Sequence, residues 1–135
     1  MSAGEFSHRI RVYIEDTDAG GIVYYVNYLR FMERARTEMM RSFGFGKDYI
    51  FNHDLMFVVR DVAVHYRGPA RLDDELDVTC ELAWVKGVRQ GFRQRMTRKS
   101  DGELVATAEL SAAMLHADSH KPARVPAWIR KVLET

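Results

Sequence analysis

The most informative stretch of this 135-residue chain is Glu15-Asp-Thr-Asp-Ala-Gly-Gly-Ile-Val-Tyr-Tyr-Val-Asn-Tyr28. Three acidic residues, Glu15, Asp16 and Asp18, come just before a Gly-Gly pair, and an aromatic, apolar run then leads into a helix. Glycines let a ligand approach the backbone closely, and the first amides of a helix are free to hold an oxyanion. A carboxylate, a bare turn and a helix start together indicate a small hydrolytic site.

The same stretch leads into the one long helix of the chain. We predict that the helix starts at Tyr28 with Asn27 as its N-cap, with a hydrophobic staple between Val26 and Phe31, and that Gly44 ends it. Apolar residues recur at helical spacing and predict a continuous buried stripe. They are Tyr28, Phe31, Met32, Ala35, Met39 and Phe43.

Alternating apolar residues predict the strands. Residues His8–Glu15 form the first strand, with Ile10, Val12 and Ile14 on its buried side. Four more strands follow the helix, over Val58–Tyr66, Leu76–Trp84, Arg89–Arg98 and Glu103–His116. Trp84 is expected on the apolar face of its strand, and short helical segments are predicted over Gly46–Asn52 and Pro126–Glu134.

One apolar helix and one sheet with a matching apolar face imply an α+β fold in which a mostly antiparallel sheet of about five strands wraps around the helix. The chain contains no repeat or linker, so residues 1–135 are expected to form a single domain. The free edges of such a sheet invite pairing with a second copy.

Composition and charge narrow the class of protein. The formal net charge of +1 gives no long-range attraction to nucleic acid or to an anionic membrane. No apolar run approaches the length needed to span a bilayer. The single cysteine, Cys80, falls on the apolar face of a strand and is expected to be a small core residue, which fits a reducing, cytoplasmic location.

Asp18 is the residue with the clearest chemical potential. It is placed to attack a carbonyl or to take a proton from water as general base, with the amides of Val23 to Tyr25 as oxyanion donors. Two other interpretations stay open. Asp16 and Asp18 shape a turn, or Glu15, Asp16 and Asp18 bind a hard cation, although the segment lacks the ligand set of a calcium loop.

The fourth predicted strand is strongly basic, with Arg89, Arg93, Arg95, Arg98 and Lys99. Such a run is expected either to form a solvated face or to bind phosphate at an edge of the sheet. Single-stranded nucleic acid needs interleaved aromatic residues, and only Phe92 is present, so a nucleic-acid site is not expected.

The sequence Asp16-Thr-Asp18-Ala-Gly-Gly-Ile-Val-Tyr-Tyr-Val-Asn-Tyr28, followed by Phe31-Met-Glu-Arg-Ala-Arg-Thr-Glu38, resembles the YbgC-type acyl-CoA thioesterases. These belong to the 4-hydroxybenzoyl-CoA thioesterase family of the hotdog fold. The likeness is specific over residues 9–44 and continues more loosely through the strand order and the Lys121-Pro-Ala-Arg-Val-Pro126 tail, so it covers nearly the whole chain.

The resemblance implies a cytoplasmic homodimer or homotetramer with active sites at the subunit interface, no metal, and no cofactor except the coenzyme A that is part of the substrate. It assigns the catalytic carboxylate to Asp18 and the polarising amide to Tyr25, where several YbgC-type members carry His and the 4-hydroxybenzoyl branch carries Tyr. It also places Arg89 at the coenzyme A phosphates.

The expected function is hydrolysis of an acyl-CoA, or of an acyl group on an acyl carrier protein, with Ile22, Val23 and Tyr28 lining part of the acyl pocket. Two other classes remain: a non-hydrolytic acyl-CoA or acyl-carrier-protein binding module, and a hotdog dehydratase or hydratase. The last usually needs a catalytic His, and the helix-entry segment contains none.

Overall fold

The computed structural model describes residues 5–44 and 55–131. Within these ranges the chain forms five strands, one long helix and one short terminal helix. They are β1 (Glu5–Arg11), α1 (Tyr25–Ser42), β2 (Leu55–Tyr66), β3 (Glu75–Lys86), β4 (Arg89–Arg98), β5 (Leu104–His116) and α2 (Ala127–Arg130). The helical segment expected over Gly46–Asn52 lies outside the described residues.

The five strands form one sheet in the order β1-β3-β4-β5-β2, and every neighbouring pair is antiparallel. Helix α1 contacts β1 and β3 on the inner face of this sheet. The predicted α+β sheet around a central helix is therefore confirmed. No helix in the described ranges is long and apolar enough to cross a membrane.

The predicted helical stripe forms the core. Its first five members are buried and Phe43 is half-buried. Cys80 is also buried in this core, as expected, and its burial raises the pKa of the thiol to about 12. The tight turn at Gly87 and the Asp101-Gly102 turn are both present, and each glycine has a positive φ.

The first strand differs from its prediction at both ends. It covers Glu5–Arg11 rather than His8–Glu15, and residues Ile14–Asp16 form a single 3-10 turn. Ile14 is consequently 76% exposed instead of facing the core. The alternation continued past Arg11 in the sequence, but the backbone leaves the ladder there because Asp16 is turned inward.

Helix α1 begins three residues earlier than predicted. Tyr24, not Asn27, is the N-cap, so the predicted staple between Val26 and Phe31 is wrong. Asn27 lies inside the first turn and is buried, where its Nδ2 donates a 2.9 Å hydrogen bond to Oδ1 of Asp16. The polar residue that resembled a cap instead supports a carboxylate.

Asp16 is only 6% exposed, and its carboxylate is held from two sides. The Tyr13 amide donates to Oδ2 at 2.9 Å, and Asn27 donates to Oδ1. Its backbone carbonyl also accepts a 3.0 Å hydrogen bond from the Tyr24 amide. These bonds fix the 3-10 turn to the start of α1.

Trp84 faces outward, contrary to its predicted position on the apolar face of β3. An irregularity in the β3–β4 register between Leu82 and Trp84 reverses the side-chain alternation. The indole, 40% exposed, lies against the backbone of Gly91, where a Cβ would come within 2.0 Å of the indole Nε1. Gly91 is therefore needed for the close approach of this ring.

We predict that Asn27→Ala lowers the free energy of unfolding by about 1–3 kcal/mol, because it leaves one oxygen of a buried carboxylate without a donor. Urea unfolding followed by circular dichroism measures this change. Arg30→Ala, an exposed substitution on the same helix, is the control and is expected to stay within about 0.5 kcal/mol of wild type. Equal free energies of unfolding for Asn27→Ala and Arg30→Ala would contradict the structural role of Asn27.

We predict that Gly91→Ala displaces the Trp84 indole and lowers the free energy of unfolding by about 1–3 kcal/mol. Tryptophan fluorescence should shift to longer wavelength as the ring enters water. Gly68→Ala is the matched control, because a Cβ at Gly68 meets nothing within 4 Å. An unshifted emission spectrum in Gly91→Ala would contradict the stacking role of Gly91.

Candidate active site

Residues 16–24 fold back on themselves as a small hairpin. The Tyr24 amide donates to the Asp16 carbonyl at 3.0 Å, Thr17 pairs with Val23, and the Asp18 amide donates to the Ile22 carbonyl at 3.0 Å. At the tip, Gly21 adopts a φ of +76°, which favours glycine.

This small hairpin is fastened to the segment that follows β2. The Val23 amide donates to the Ala70 carbonyl at 2.8 Å, and the Leu72 amide donates to the Gly21 carbonyl at 3.0 Å. The phenol of Tyr28 accepts a 3.0 Å hydrogen bond from the Ala70 amide. The hairpin is therefore anchored on both sides of its tip, so the backbone holds Asp18 in place.

The Asp18 side chain is exposed, unlike that of Asp16. Its Oδ1 accepts a 2.9 Å hydrogen bond from the Gly20 amide, so Asp18 shapes the turn, which is one of the roles that the sequence leaves open. Within the described residues, no group donates to Oδ2. Asp18 thus combines a fixed backbone with one carboxylate oxygen that faces water.

The three acids of the motif are not gathered around one point. Asp16 is turned inward against Asn27, whereas Glu15 and Asp18 are exposed. In residues 5–44 and 55–131, no group of three or more His, Cys, Asp or Glu side chains has a metal-binding arrangement.

One of the three predicted oxyanion donors is open. The Val23 amide is bonded to Ala70 and the Tyr24 amide to Asp16, so the expectation that these two are available donors is wrong. Tyr25 is the first residue of α1, and its amide has no acceptor in the part of the chain that the structure describes. This is the ordinary state of a first-turn amide, which needs an external partner.

An aromatic cluster borders the open amide. Tyr25 is 58% exposed and its ring centroid lies 6.3 Å from that of Tyr66, which is 5.2 Å from the buried ring of Tyr28. The Tyr66 hydroxyl donates to the Tyr25 carbonyl at 3.3 Å. Partial burial raises the pKa of Tyr66, so its phenol stays protonated and acts as a hydrogen-bond donor at neutral pH.

Sequence reasoning missed Tyr66. The available signal was its position as the last residue of β2, directly before Arg67-Gly68-Pro69, at an inward-facing register position. Nothing in that local pattern identifies Tyr25, forty-one residues earlier, as its neighbour.

The structure brings together only some of the predicted substrate-binding residues. Ile22 is half-buried and lies opposite Asp18 in the small hairpin. Val23 and Tyr28 are buried in the core, at 4% exposure each. Arg89 is remote: it begins β4 beside the turn that contacts Val125, whereas the other end of β4 approaches Pro69 near the site.

Most of the basic residues of β4 are paired with acids on the outer face. Arg93 pairs with Glu81, Arg95 with Glu5, Arg98 with Asp74 and Asp101, and Lys99 with Glu75. The run is therefore mainly a solvated, ion-paired face. Among the described residues, Arg89 is the one member of this run without an ion pair.

The chain is similar to several known thioesterases. The sequence model of the thioesterase-like superfamily matches residues 12–133. The acyl-CoA thioester hydrolase YbgC of Escherichia coli is 39% identical over 126 residues, which cover 93% of each chain. The acyl-CoA thioesterase YbgC of Haemophilus influenzae is 40% identical, over 93% of this chain and 91% of the relative.

Solved structures agree with this similarity. A probable thioesterase from Bartonella henselae has a TM-score of 0.83 at 30% identity, covering 90% of this chain and 99% of the other. A 1,4-dihydroxy-2-naphthoyl-CoA thioesterase from Synechocystis has a TM-score of 0.86 at 21% identity, with 96% of each chain covered, and shows the likeness of the fold. The fold is the hotdog fold, and this chain belongs to the YbgC family of the thioesterase-like superfamily.

Proposed function

We propose that this thioesterase hydrolyses acyl-CoA with Asp18 as its catalytic carboxylate and the Tyr25 amide as its oxyanion donor. The single observation that carries the proposal is an exposed, backbone-fixed carboxylate on the small hairpin together with an open amide at the helix start that directly follows it. The open oxygen of Asp18 either attacks the thioester carbonyl or takes a proton from the attacking water.

The Tyr25 amide then stabilises the negative charge that develops on the thioester oxygen. A donor held by the backbone at a helix start is already oriented before reaction, which is the basis of oxyanion stabilisation. In the general-base route, collapse of the tetrahedral intermediate breaks the carbon–sulfur bond, the proton taken from water passes to the sulfur, and coenzyme A and the free acid leave. In the nucleophilic route, collapse releases coenzyme A and leaves a mixed anhydride on Asp18, which water then hydrolyses to the free acid. Tyr66 supports the geometry because its hydroxyl is bonded to the Tyr25 carbonyl.

A second copy is part of the proposed site. β2 is an edge strand, and its helix-side face carries Val59 and Val62, which are exposed, and Tyr66, which contacts α1 but remains 46% exposed. Antiparallel pairing of two β2 edges satisfies the unpaired backbone groups and covers this face. We therefore propose at least a homodimer, with the active site at the subunit interface.

Arg89 fits a role in the partner subunit's site. It lies at the Leu55 end of the sheet, in register with Ala113, which pairs with Val58. Paired β2 strands place this end beside the Tyr66 end of the other copy. Because Arg89 has no ion pair among the described residues, its guanidinium suits the phosphates of coenzyme A.

The single cysteine, Cys80, is buried. This cysteine content suits an enzyme of the reducing cytoplasm.

We predict that Asp18→Asn reduces turnover at least about 100-fold, because removing a catalytic carboxylate abolishes nucleophilic or general-base action. Release of coenzyme A, followed with a thiol reagent over short, long and aromatic acyl-CoAs, measures the rate. Stability should change by less than about 0.5 kcal/mol, because the site is exposed and an Asn oxygen also accepts the Gly20 amide.

Glu15→Gln is the matched control, since it removes the same charge from an exposed position three residues away. Its activity should equal that of wild type. Full activity in a folded Asp18→Asn variant would overturn the assignment of Asp18. Binding of acyl-CoA without turnover by wild type would favour the non-hydrolytic binding module, and turnover restricted to acyl carrier protein would change the carrier.

We predict that Val62→Lys shifts the protein toward monomer and reduces activity with it, because a charge is placed on a face that the second copy covers. Sedimentation velocity measures the change of mass. Leu104→Lys, at an exposed position at the start of β5, is the control and should leave both properties unchanged. A dimeric, inactive Val62→Lys variant would argue against assembly through β2.

A further inference from the structure

A groove of about 310 Å³ lies between α1 and the inner face of the sheet. Its floor is apolar and consists of Phe57, Val59, Phe92, Leu110 and Ala112. Helix α1 supplies Glu33, Arg36, Thr37 and Met40 to its wall. The groove exists because α1 packs against β1 and β3, so the inner face of β2 extends beyond the helix.

Arg36 is the unusual residue of this groove. Its Nη1 donates a 3.0 Å hydrogen bond to Oε1 of Gln94, a neutral amide. Gln94 is itself fixed, since its Nε2 donates to the carbonyls of Met32 at 2.9 Å and Thr79 at 3.2 Å. The guanidinium is thus held at the edge of the core by a side chain that carries no charge.

No carboxylate of the described chain lies within ion-pair distance of Arg36. A guanidinium has five N–H donors, and the bond to Gln94 uses one of them. Burial lowers the pKa of Arg36, and the charge of Glu33, which lies beyond ion-pair distance, offsets only part of this effect. Glu33, one turn earlier, is exposed at the rim.

The groove and the proposed active site lie along the same face of β2. Tyr66 contacts Tyr25 at one end, Val62 is exposed in the middle, and Val59 lines the groove. Residues 25 and 36 of α1 are eleven apart, which is about 16 Å along the helix axis. An extended chain advances about 3.5 Å per three bonds, so this distance corresponds to roughly 14 bonds.

A second copy would offer the acyl chain another path to Arg36. Antiparallel pairing of β2 turns the groove of one subunit toward the Tyr25 amide of the partner subunit. The acyl chain then enters the groove from the partner's site, and the distance to Arg36 is set by the register of the two strands. The acyl length at which Arg36 is reached therefore shows whether the acyl chain enters the groove from the same subunit's active site or from the partner's active site.

We propose that this groove binds the distal part of the acyl chain and that Arg36 binds a carboxylate at its end, which makes thioesters of dicarboxylic acids the preferred substrates. The apolar floor matches a methylene chain, and the guanidinium fork matches a carboxylate. This inference rests on the proposed thioesterase function and adds the substrate class to it.

The test compares matched pairs of acyl-CoAs of equal chain length, one ending in a carboxylate and the other in a methyl group, over a range of lengths. At one length, wild type should show kcat/KM for the carboxylate thioester at least about tenfold above that for its methyl partner, because hydrogen bonds to a charged group are strong. Arg36→Met should lower this ratio at least tenfold. Arg34→Met, which removes an exposed charge from the same helix, should leave the ratio unchanged.

Arg36→Lys keeps a cation in the groove but removes the forked N–H donors of the guanidinium, so it should retain part of the preference for the carboxylate thioester. This variant replaces Arg36→Met in the test if Arg36→Met does not fold. An equal rate for both members of every pair in wild type would overturn the inference, as would an unchanged ratio in folded Arg36→Met. If Arg36→Met becomes monomeric while its ratio of kcat/KM values stays unchanged, the second copy, and not the acyl chain, fills the groove. Failure of the thioesterase proposal is distinct, because wild type would then hydrolyse neither member of any pair.

Discussion

The buried carboxylate of Asp16 is the constraint on which the site depends. A charge out of contact with water must be hydrogen-bonded, and Asp16 obtains its donors from the Tyr13 amide and from Asn27. Because of these bonds, the chain leaves the sheet after β1, and the start of α1 lies beside the 3-10 turn. The helix then begins at Tyr25, and its first amide is left open.

Asp16 and Asp18 therefore have different roles in the motif. The carboxylate of Asp16 is occupied by structural hydrogen bonds. Asp18, two residues later, lies on the exposed side of the same small hairpin. The alternation of side chains along an extended segment makes this division natural. Among the described residues, Asp18 keeps one carboxylate oxygen without a donor, and Asp16 is the acid that positions the start of α1.

The sequence predicts what local patterning controls. The apolar stripe of α1 and the bounds of β4 agree with the structure because each is set by neighbours in the chain. The errors share a nonlocal cause. Asn27 resembled a cap, but its partner Asp16 lies eleven residues away, and the orientation of Trp84 depends on a register shift in β3 that leaves no local mark.

The candidate site shows the same division. The motif predicts roles for Asp18 and the Tyr25 amide, which stay predictions, whereas Tyr66 and the groove at Arg36 become visible only when residues distant in the chain lie together. The sheet also has two different faces. Arginines on its outer face pair with carboxylates, whereas Arg36, in the groove on its inner face, is bonded to Gln94 and has no carboxylate of the described residues within ion-pair distance.

The position of Cys80 bears on the product of the reaction. Hydrolysis releases a free thiol beside the enzyme, and once this thiol has been oxidised to a disulfide, a protein thiolate can attack it to form a mixed disulfide. Cys80 is the one cysteine of the chain, it is buried, and its pKa is raised to about 12. Since the thiolate is the reactive species, this enzyme is protected from forming a mixed disulfide with the coenzyme A that it releases, even when the surroundings become oxidising.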